Sequence, residues 1–302
     1  MGARLGSRRI RFAVMLTAAA LLSTLPGAGV PALLPGEPAA AAPSCGAAVA
    51  KADGSSWICT FADEFSLSRL DTTKWLPITT ASNGYTNGGE CFRNHSSNIS
   101  VGGGSLRLTV RKESQPFLCK SPHGSYTTQY TGGYVATYGK FAQAYGRFEI
   151  RAKFPAVTTT GVHSALWLYP KSLLYGAWPA SGEIDIAEFF TKYPDRAIPH
   201  LHYKKASVDA NVTNNFCMIS NPADWHTYTL EWLPGSLTIS YDGQVCLSTT
   251  SWYPDGLLMP APFNQPFFIN LTQALGRGLN PFDPATTPLP ATMYVDYVRA
   301  WR

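Results

Sequence analysis

From about residue 57 onward, short β-forming runs follow one another, cut by Gly, Pro, Asn and Ser, and almost nowhere do apolar residues recur at helical spacing. That succession predicts an all-β chain. "SLRLTVRK" (105–112) and "YGRFEIRAKF" (145–154) alternate apolar with polar residues, the pattern of strands with one face in a core and one in solvent. "HTYTLEWL", "LTISYDGQVCL" and "MYVDYVRAW" continue the series, and Asp242-Gly243 inside the second predicts a tight hairpin turn. Many short strands without an internal repeat or a break in composition point to one jelly-roll sandwich of two antiparallel sheets, about 260 residues long.

The start of the chain reads differently. Arg4, Arg8, Arg9 and Arg11 precede the apolar run "FAVMLTAAALLSTL", and a Pro- and Ala-rich stretch ending "EPAAAAPSCG" follows. These are the parts of a secretory signal. The apolar run is shorter than the roughly 20 residues a membrane span needs, and no second such run follows. The paired arginines also permit a twin-arginine route. The expected organisation is therefore a leader over 1–42 and a single exported domain over 43–302, without a membrane anchor once the leader is removed.

Charge supports no nucleic-acid partner. The leader holds four of the 24 basic residues and only Glu37 of the 19 acidic ones, so the remaining chain carries 20 against 18. No basic stripe or tail appears in it. All six cysteines (Cys45, Cys59, Cys91, Cys119, Cys217, Cys246) follow the leader, and an even number in an exported chain favours disulfides over zinc or a thiol nucleophile. Fifteen pairings are possible. The sequential one, 45 with 59, 91 with 119 and 217 with 246, is preferred here because each bridge closes a short local loop.

Within "SGEIDIAEFF" (181–190), Glu183, Asp185 and Glu188 stand among isoleucines and phenylalanines. In a regular strand the first two share a face and the third points away. A β-bulge at Ala187 brings Glu188 back to that face, with Ile184 and Ile186 left facing the core. Carboxylates so crowded repel one another, and burial disfavours their charge, so at least one should hold its proton near neutrality. Retaining glycoside hydrolysis needs that combination: an ionised carboxylate as nucleophile and a protonated carboxyl as acid, roughly 5 to 5.5 Å apart. The competing reading is a solvated edge or a calcium site in a non-catalytic sandwich. Glu and Asp are unfavourable in strand interiors, which argues for a gain in function at this cluster.

"WPASGEIDIAE" resembles the E-x-D-x-x-E signature of glycoside hydrolase family 16, in the bulged form of laminarinase-like endo-β-1,3-glucanases. "FADEF" with Trp75, "GGYVATYGKFAQAYGRFEIRAKFP", "ALWLYP", "HTYTLEWLPGSLTISYDGQ" and "MYVDYVRAWR" are similar to family segments in the family's order. The resemblance implies a jelly roll with an open groove for polysaccharide. It implies Glu183 as nucleophile, Asp185 as its assisting acid and Glu188 as general acid/base. Trp167 and Trp178 match tryptophans that stack on sugar rings, His202 a histidine beside the acids, and Asn98 an asparagine of the groove. No cofactor is implied for catalysis. A structural calcium is, with Glu64, Gly104 and Asp296 at matching places, where hydrogen bonding near a strand end is the rival role for Asp296. His200 and His202 share a strand face, but two histidines without an obvious third ligand make a poor zinc site.

Two segments depart from the family's wording: "GGECFRNHSSN" before Asn98, and "FFINLTQALGRGLNPFDP", where Thr272 and Gln273 occupy a groove strand. The sequence contains no G-x-S-x-G elbow, phosphate loop or dinucleotide fingerprint, and the glycine-rich "SVGGGSL" reads as a tight turn. The expected function is a secreted, monomeric, retaining endo-acting hydrolase of β-1,3- or mixed β-1,3/1,4-glucan. Transglycosylation and endo-β-1,3-galactan cleavage are alternatives on the same scaffold, and a sugar-binding jelly roll without turnover is the alternative from another class. A lectin, however, gains nothing from a carboxyl held protonated.

Overall fold

The computed structural model describes residues 43–205 and 208–302; the expected leader, 1–42, lies outside the described residues. The strands in chain order are β1 Cys59–Asp63, β2 Leu76–Pro77, β3 Cys91–Phe92, β4 Ile99–Val101, β5 Leu106–Cys119, β6 Tyr126–Ala136, β7 Gly146–Lys153, β8 Val162–Pro170, β9 Glu183–Phe190, β10 Ile198–Lys205, β11 Val208–Thr213, β12 His226–Leu233, β13 Ser236–Tyr241, β14 Gln244–Thr249, β15 Phe267–Leu275 and β16 Ala291–Trp301. One short helix, α1 Thr80–Asn83, lies between β2 and β3.

The alternation legible in the sequence is what builds the sandwich. Along β7, Phe148, Ile150 and Ala152 turn inward while Arg147, Glu149, Arg151 and Lys153 turn toward solvent. Strands pair in the order β11-β10-β9-β8-β15-β6 and continue through β5-β16-β7-β12-β13-β14, with the long β5–β6 pairing joining two antiparallel layers. Leu166, Leu168, Ile184 and Ile186 of the first layer share one buried cluster with Phe148, Ile150, Leu230 and Ile239 of the second. Phe154, just after β7, stacks on Phe189 of β9 with 4.9 Å between ring centroids. Tyr241 of β13 donates its hydroxyl to the Ile186 carbonyl at 2.9 Å, so the layers are also pinned by a polar contact behind the acid-bearing strand.

The hairpin expected at Asp242-Gly243 is present between β13 and β14, with φ of 48° and 79°, the positive values a two-residue turn of this kind requires. The cysteines pair sequentially as expected, Cys45–Cys59, Cys91–Cys119 and Cys217–Cys246, with Cα separations of 5.7, 5.8 and 5.4 Å. Trp75 donates its indole N–H to Asp63 Oδ2 at 2.8 Å, tying the "FADEF" segment to the chain downstream of it.

Candidate active site

The acid-bearing strand β9 lies between β8 and β10. Opposite β8, Leu166 pairs with Ala187 but Trp167 pairs with Asp185, so Ile186 has no partner residue. Opposite β10, Ile198 pairs with Glu188 and His200 with Asp185, again leaving one residue too many on β9. The bulge thus falls at Ile186–Ala187, with Ile186 as the unpaired residue on the β8 side, one position ahead of the expected Ala187. Ile184, Ile186 and Ala187 are all buried in the core, while Glu183, Asp185 and Glu188 line one cavity of 720 Å³. Gly182 sets up the strand: its φ is +83°, and a Cβ there would meet Phe263 and Pro262 at 3.0 to 3.1 Å.

Period-two alternation on β8 aims His163, Ala165, Trp167 and Tyr169 into the same cavity. Tyr134 of β6 and Phe268 and Thr272 of β15 add to its lining, and Trp178 reaches it from the loop before β9. Trp178 is 48% exposed, whereas Trp167 is anchored by donating its Nε1–H to Thr272 Oγ1 at 3.0 Å. A ring left in solvent at the rim of an aromatic-lined cleft has apolar surface free for stacking, and the anchored ring is part of the wall.

Two histidines bracket Glu188. His163 Nε2 lies 2.9 Å from Oε1, and His200 Nδ1 lies 2.6 Å from Oε2. His202 Nε2 lies 3.3 Å from Asp185 Oδ2, and among the described residues that oxygen, on a residue 3% exposed, has no closer hydrogen-bond partner. Burial and then the charge of Asp185 push the Glu183 carboxyl well above the usual carboxylate range. Burial and the charge of Glu188 raise Asp185 as well. Burial also opposes charge on Glu188, but hydrogen bonds from His163 and His200 outweigh it and hold that carboxyl well below its ordinary value. The site therefore has one carboxylate stabilised by imidazoles and two carboxyls that resist ionising together.

Asp185, His200 and His202 offer ligand atoms within 4.8 Å of one another, so the structure supplies the third group that the sequence did not reveal for a metal. Tetrahedral zinc with bonds of about 2.05 Å would want these atoms roughly 3.3 Å apart. His200 Nδ1 is also engaged by Glu188. With His200 Nδ1 turned to Glu188, the three groups are not arranged as a metal centre.

Other expected positions lie elsewhere. Asn98 is buried and is not brought to the cavity: its Nδ2 donates to the Thr109 carbonyl at 3.0 Å and to Thr131 Oγ1 at 2.9 Å. Gln273 faces away from the cavity that its neighbour Thr272 lines, accepting a 2.6 Å bond from Ser164 Oγ while its Nε2 is left without a partner. Glu64 is held in a fork by Arg299 at 2.7 and 2.8 Å, and Asp296 by Arg151 at 2.5 Å, while Gly104 sits in the turn between β4 and β5 with φ of +73°. Calcium draws on six to eight oxygens, and carboxylates already neutralised by guanidinium groups do not fit that need.

Several residues that matter here were not singled out from sequence. Asn87 Nδ2 donates to the Leu275 carbonyl at 2.8 Å and lies 3.2 Å from His163 Nδ1. The buried carboxylate of Glu90 accepts backbone N–H bonds from Asn87, Gly88 and Leu275 at 2.8, 2.9 and 3.2 Å, fixing the loop that carries Asn87. For His163 a signal existed, since "VHSALWLYP" puts it on the same strand face as Trp167.

A family profile described as glycosyl hydrolases family 16 matches residues 89–287, most of the described domain and all of the acid-bearing strand. The chain belongs to this family. It is 32% identical over 260 residues to a glucan endo-1,3-β-glucosidase A1 of Niallia circulans, covering 80% of this chain and 37% of that one. It is 30% identical over 266 residues to a β-glucanase of Rhodothermus marinus, covering 82% and 85%. The laminarinase structure from Rhodothermus marinus superposes with a TM-score of 0.69 at 29% identity, covering 82% of this chain and 97% of that one. The family 16 assignment and the jelly-roll sandwich agree.

Proposed function

We propose that the protein is an exported endo-acting β-glucanase that hydrolyses β-1,3- or mixed β-1,3/1,4-glucan with retention of configuration. The observation that carries this reading is the bulge in β9, which turns Glu188 to the cavity already lined by Glu183 and Asp185. In the first half-reaction Glu183 attacks the anomeric carbon while Glu188 gives a proton to the departing glycosidic oxygen. In the second, water attacks the glycosyl–Glu183 ester and loses a proton to Glu188. Asp185, beside Glu183, tunes the charge of the nucleophile.

The polysaccharide lies along the aromatic cavity, with Trp178 and Trp167 against the apolar faces of pyranose rings. The names of the two relatives support glucan as the substrate class. Residues 1–42 serve as the export leader and 43–302 as the catalytic domain, which acts as a monomer. The three disulfides suit an oxidising compartment. No cofactor or metal takes part in the proposed reaction, and the calcium reading at Glu64, Gly104 and Asp296 adds nothing to it.

Incubation of the purified protein with laminarin, lichenan, galactans, agarose and xyloglucan, with products analysed by mass, tests this directly. Shorter oligosaccharides from laminarin or lichenan are expected, lost on Glu183→Gln or Glu188→Gln. Products only from galactan would move the substrate class, products longer than the substrate would indicate transfer to sugar, and binding without turnover would remove the enzyme.

A further inference from the structure

Glu188 faces a conflict within the reaction proposed for it, and this inference rests on that reading. A general acid must hold a proton, yet both of its oxygens lie against ring nitrogens, His163 Nε2 at 2.9 Å and His200 Nδ1 at 2.6 Å. The two histidines are not equivalent. Asn87 Nδ2 is oriented by the Leu275 carbonyl, so at 3.2 Å it presents a hydrogen to His163 Nδ1, which must accept. His163 is thereby fixed as the neutral Nε2–H tautomer, a permanent donor to Oε1. Among the described residues no such lock holds His200, whose ring borders a second cavity of 490 Å³.

We propose that His200 and Glu188 form a proton-sharing dyad, in which the catalytic proton is held along the Nδ1–Oε2 line and His200 keeps it available at pH values where an isolated carboxyl would have lost it. Imidazolium with carboxylate, and neutral imidazole with carboxylic acid, differ only in where one proton sits on a 2.6 Å contact. As the bond from the anomeric carbon to the leaving oxygen breaks and the bond to Glu183 forms, the proton passes from the dyad through Glu188 to that oxygen. This leaves neutral His200 and a Glu188 carboxylate. When water attacks, breaking the ester to Glu183, its proton returns to the dyad, and no proton is consumed over the cycle.

The same arrangement reconciles the charges on β9. With one proton on it the dyad is neutral overall, and its repulsion of Glu183 and Asp185 falls, which lets Glu183 ionise as a nucleophile must. The other charged or titratable groups facing the dyad are His202, whose ring is 5.3 Å from that of His200, Tyr85 on the cavity wall, and Arg277, which lines both cavities. Arg196 and Tyr193 line the second cavity, and Tyr241 lies behind β9.

The test is the pH profile of kcat/KM on laminarin for the wild type, His200→Gln and His163→Gln, with folding checked by thermal melts. His200→Gln should keep substantial activity at its acidic optimum but lose it at lower pH than the wild type, the alkaline limb moving acidward by roughly one to two units, toward the gap between ordinary His and Glu values. His163→Gln, which can still donate to Oε1, should be slower with the alkaline limb in place. A His200→Gln profile scaled down equally at every pH, or an unmoved limb, overturns the dyad. Should the variant not fold, 15N-histidine NMR of the wild type decides: His200 should take up its proton across the pH range in which activity appears, and a ring neutral throughout that range overturns the proposal. Full activity of Glu188→Gln would instead remove the catalytic reading itself.

Discussion

Asn87 Nδ2 stands 3.2 Å from His163 Nδ1, and through that contact a loop residue fixes the tautomer of a ring that donates to Glu188. Replacing Asn87 by Ala removes one neutral hydrogen bond, worth about 1 kcal/mol, and frees His163 to present either nitrogen. A fall of roughly fivefold to tenfold in kcat, with little change in KM, is expected from steady-state kinetics on laminarin.

The carboxyl of Glu183 resists ionisation, and the sign of its effect on stability follows. A carboxyl whose folded value lies above its unfolded value binds protons more readily in the native state, so its contribution is fully present below the unfolded value and is lost as pH rises through the folded one. At pH 7, above the unfolded value, this upward shift costs stability. Glu183→Gln should therefore raise the melting temperature at pH 7, by an amount equivalent to about 0.5–2 kcal/mol, and the gain should shrink toward pH 4. Scanning calorimetry at both pH values checks it.

The two tryptophans separate binding from stability. Trp178, exposed at the rim, should tolerate replacement by Ala with little change in melting temperature, while KM rises about threefold to tenfold from the loss of one stacked ring. Trp167, bonded to Thr272 and packed near Tyr134, should lose both stability and activity on the same change. Paired thermal melts and kinetics distinguish the cases.

Glu90 has no place in the chemistry but holds the loop that does. Its carboxylate accepts three backbone N–H groups, and Glu90→Ala would leave these donors without their partner at a cost of about 3 kcal/mol or more. Urea unfolding should show that loss, together with a drop in kcat as Asn87 and His163 shift.

How much of this was legible in the sequence depends on how local the determining physics is. Strands such as β7 declare themselves because alternation is set by neighbours in the chain, and the Asp242-Gly243 turn because positive φ restricts residue choice. The bulge on β9 could be inferred from three acids that needed one face, but its unpaired residue could not, since register is fixed by β8 and β10. The resemblance places Asn98 in the groove and Gln273 stands on a groove strand that departs from the family's wording, but Asn98 Nδ2 is spent on Thr109 and Thr131 and Gln273 Oε1 on Ser164, partners distant in sequence. The His163–Glu188–His200 set joins three strands through contacts that no one segment encodes.

The most direct test of the whole account is the anomeric configuration of the first-formed product, followed by proton NMR during cleavage of laminarin. A nucleophile at Glu183 with an acid at Glu188 on one wall of the cavity predicts β-configured reducing ends that mutarotate only later. Initial release of the α-anomer would mean that water attacks directly, and would contradict the account.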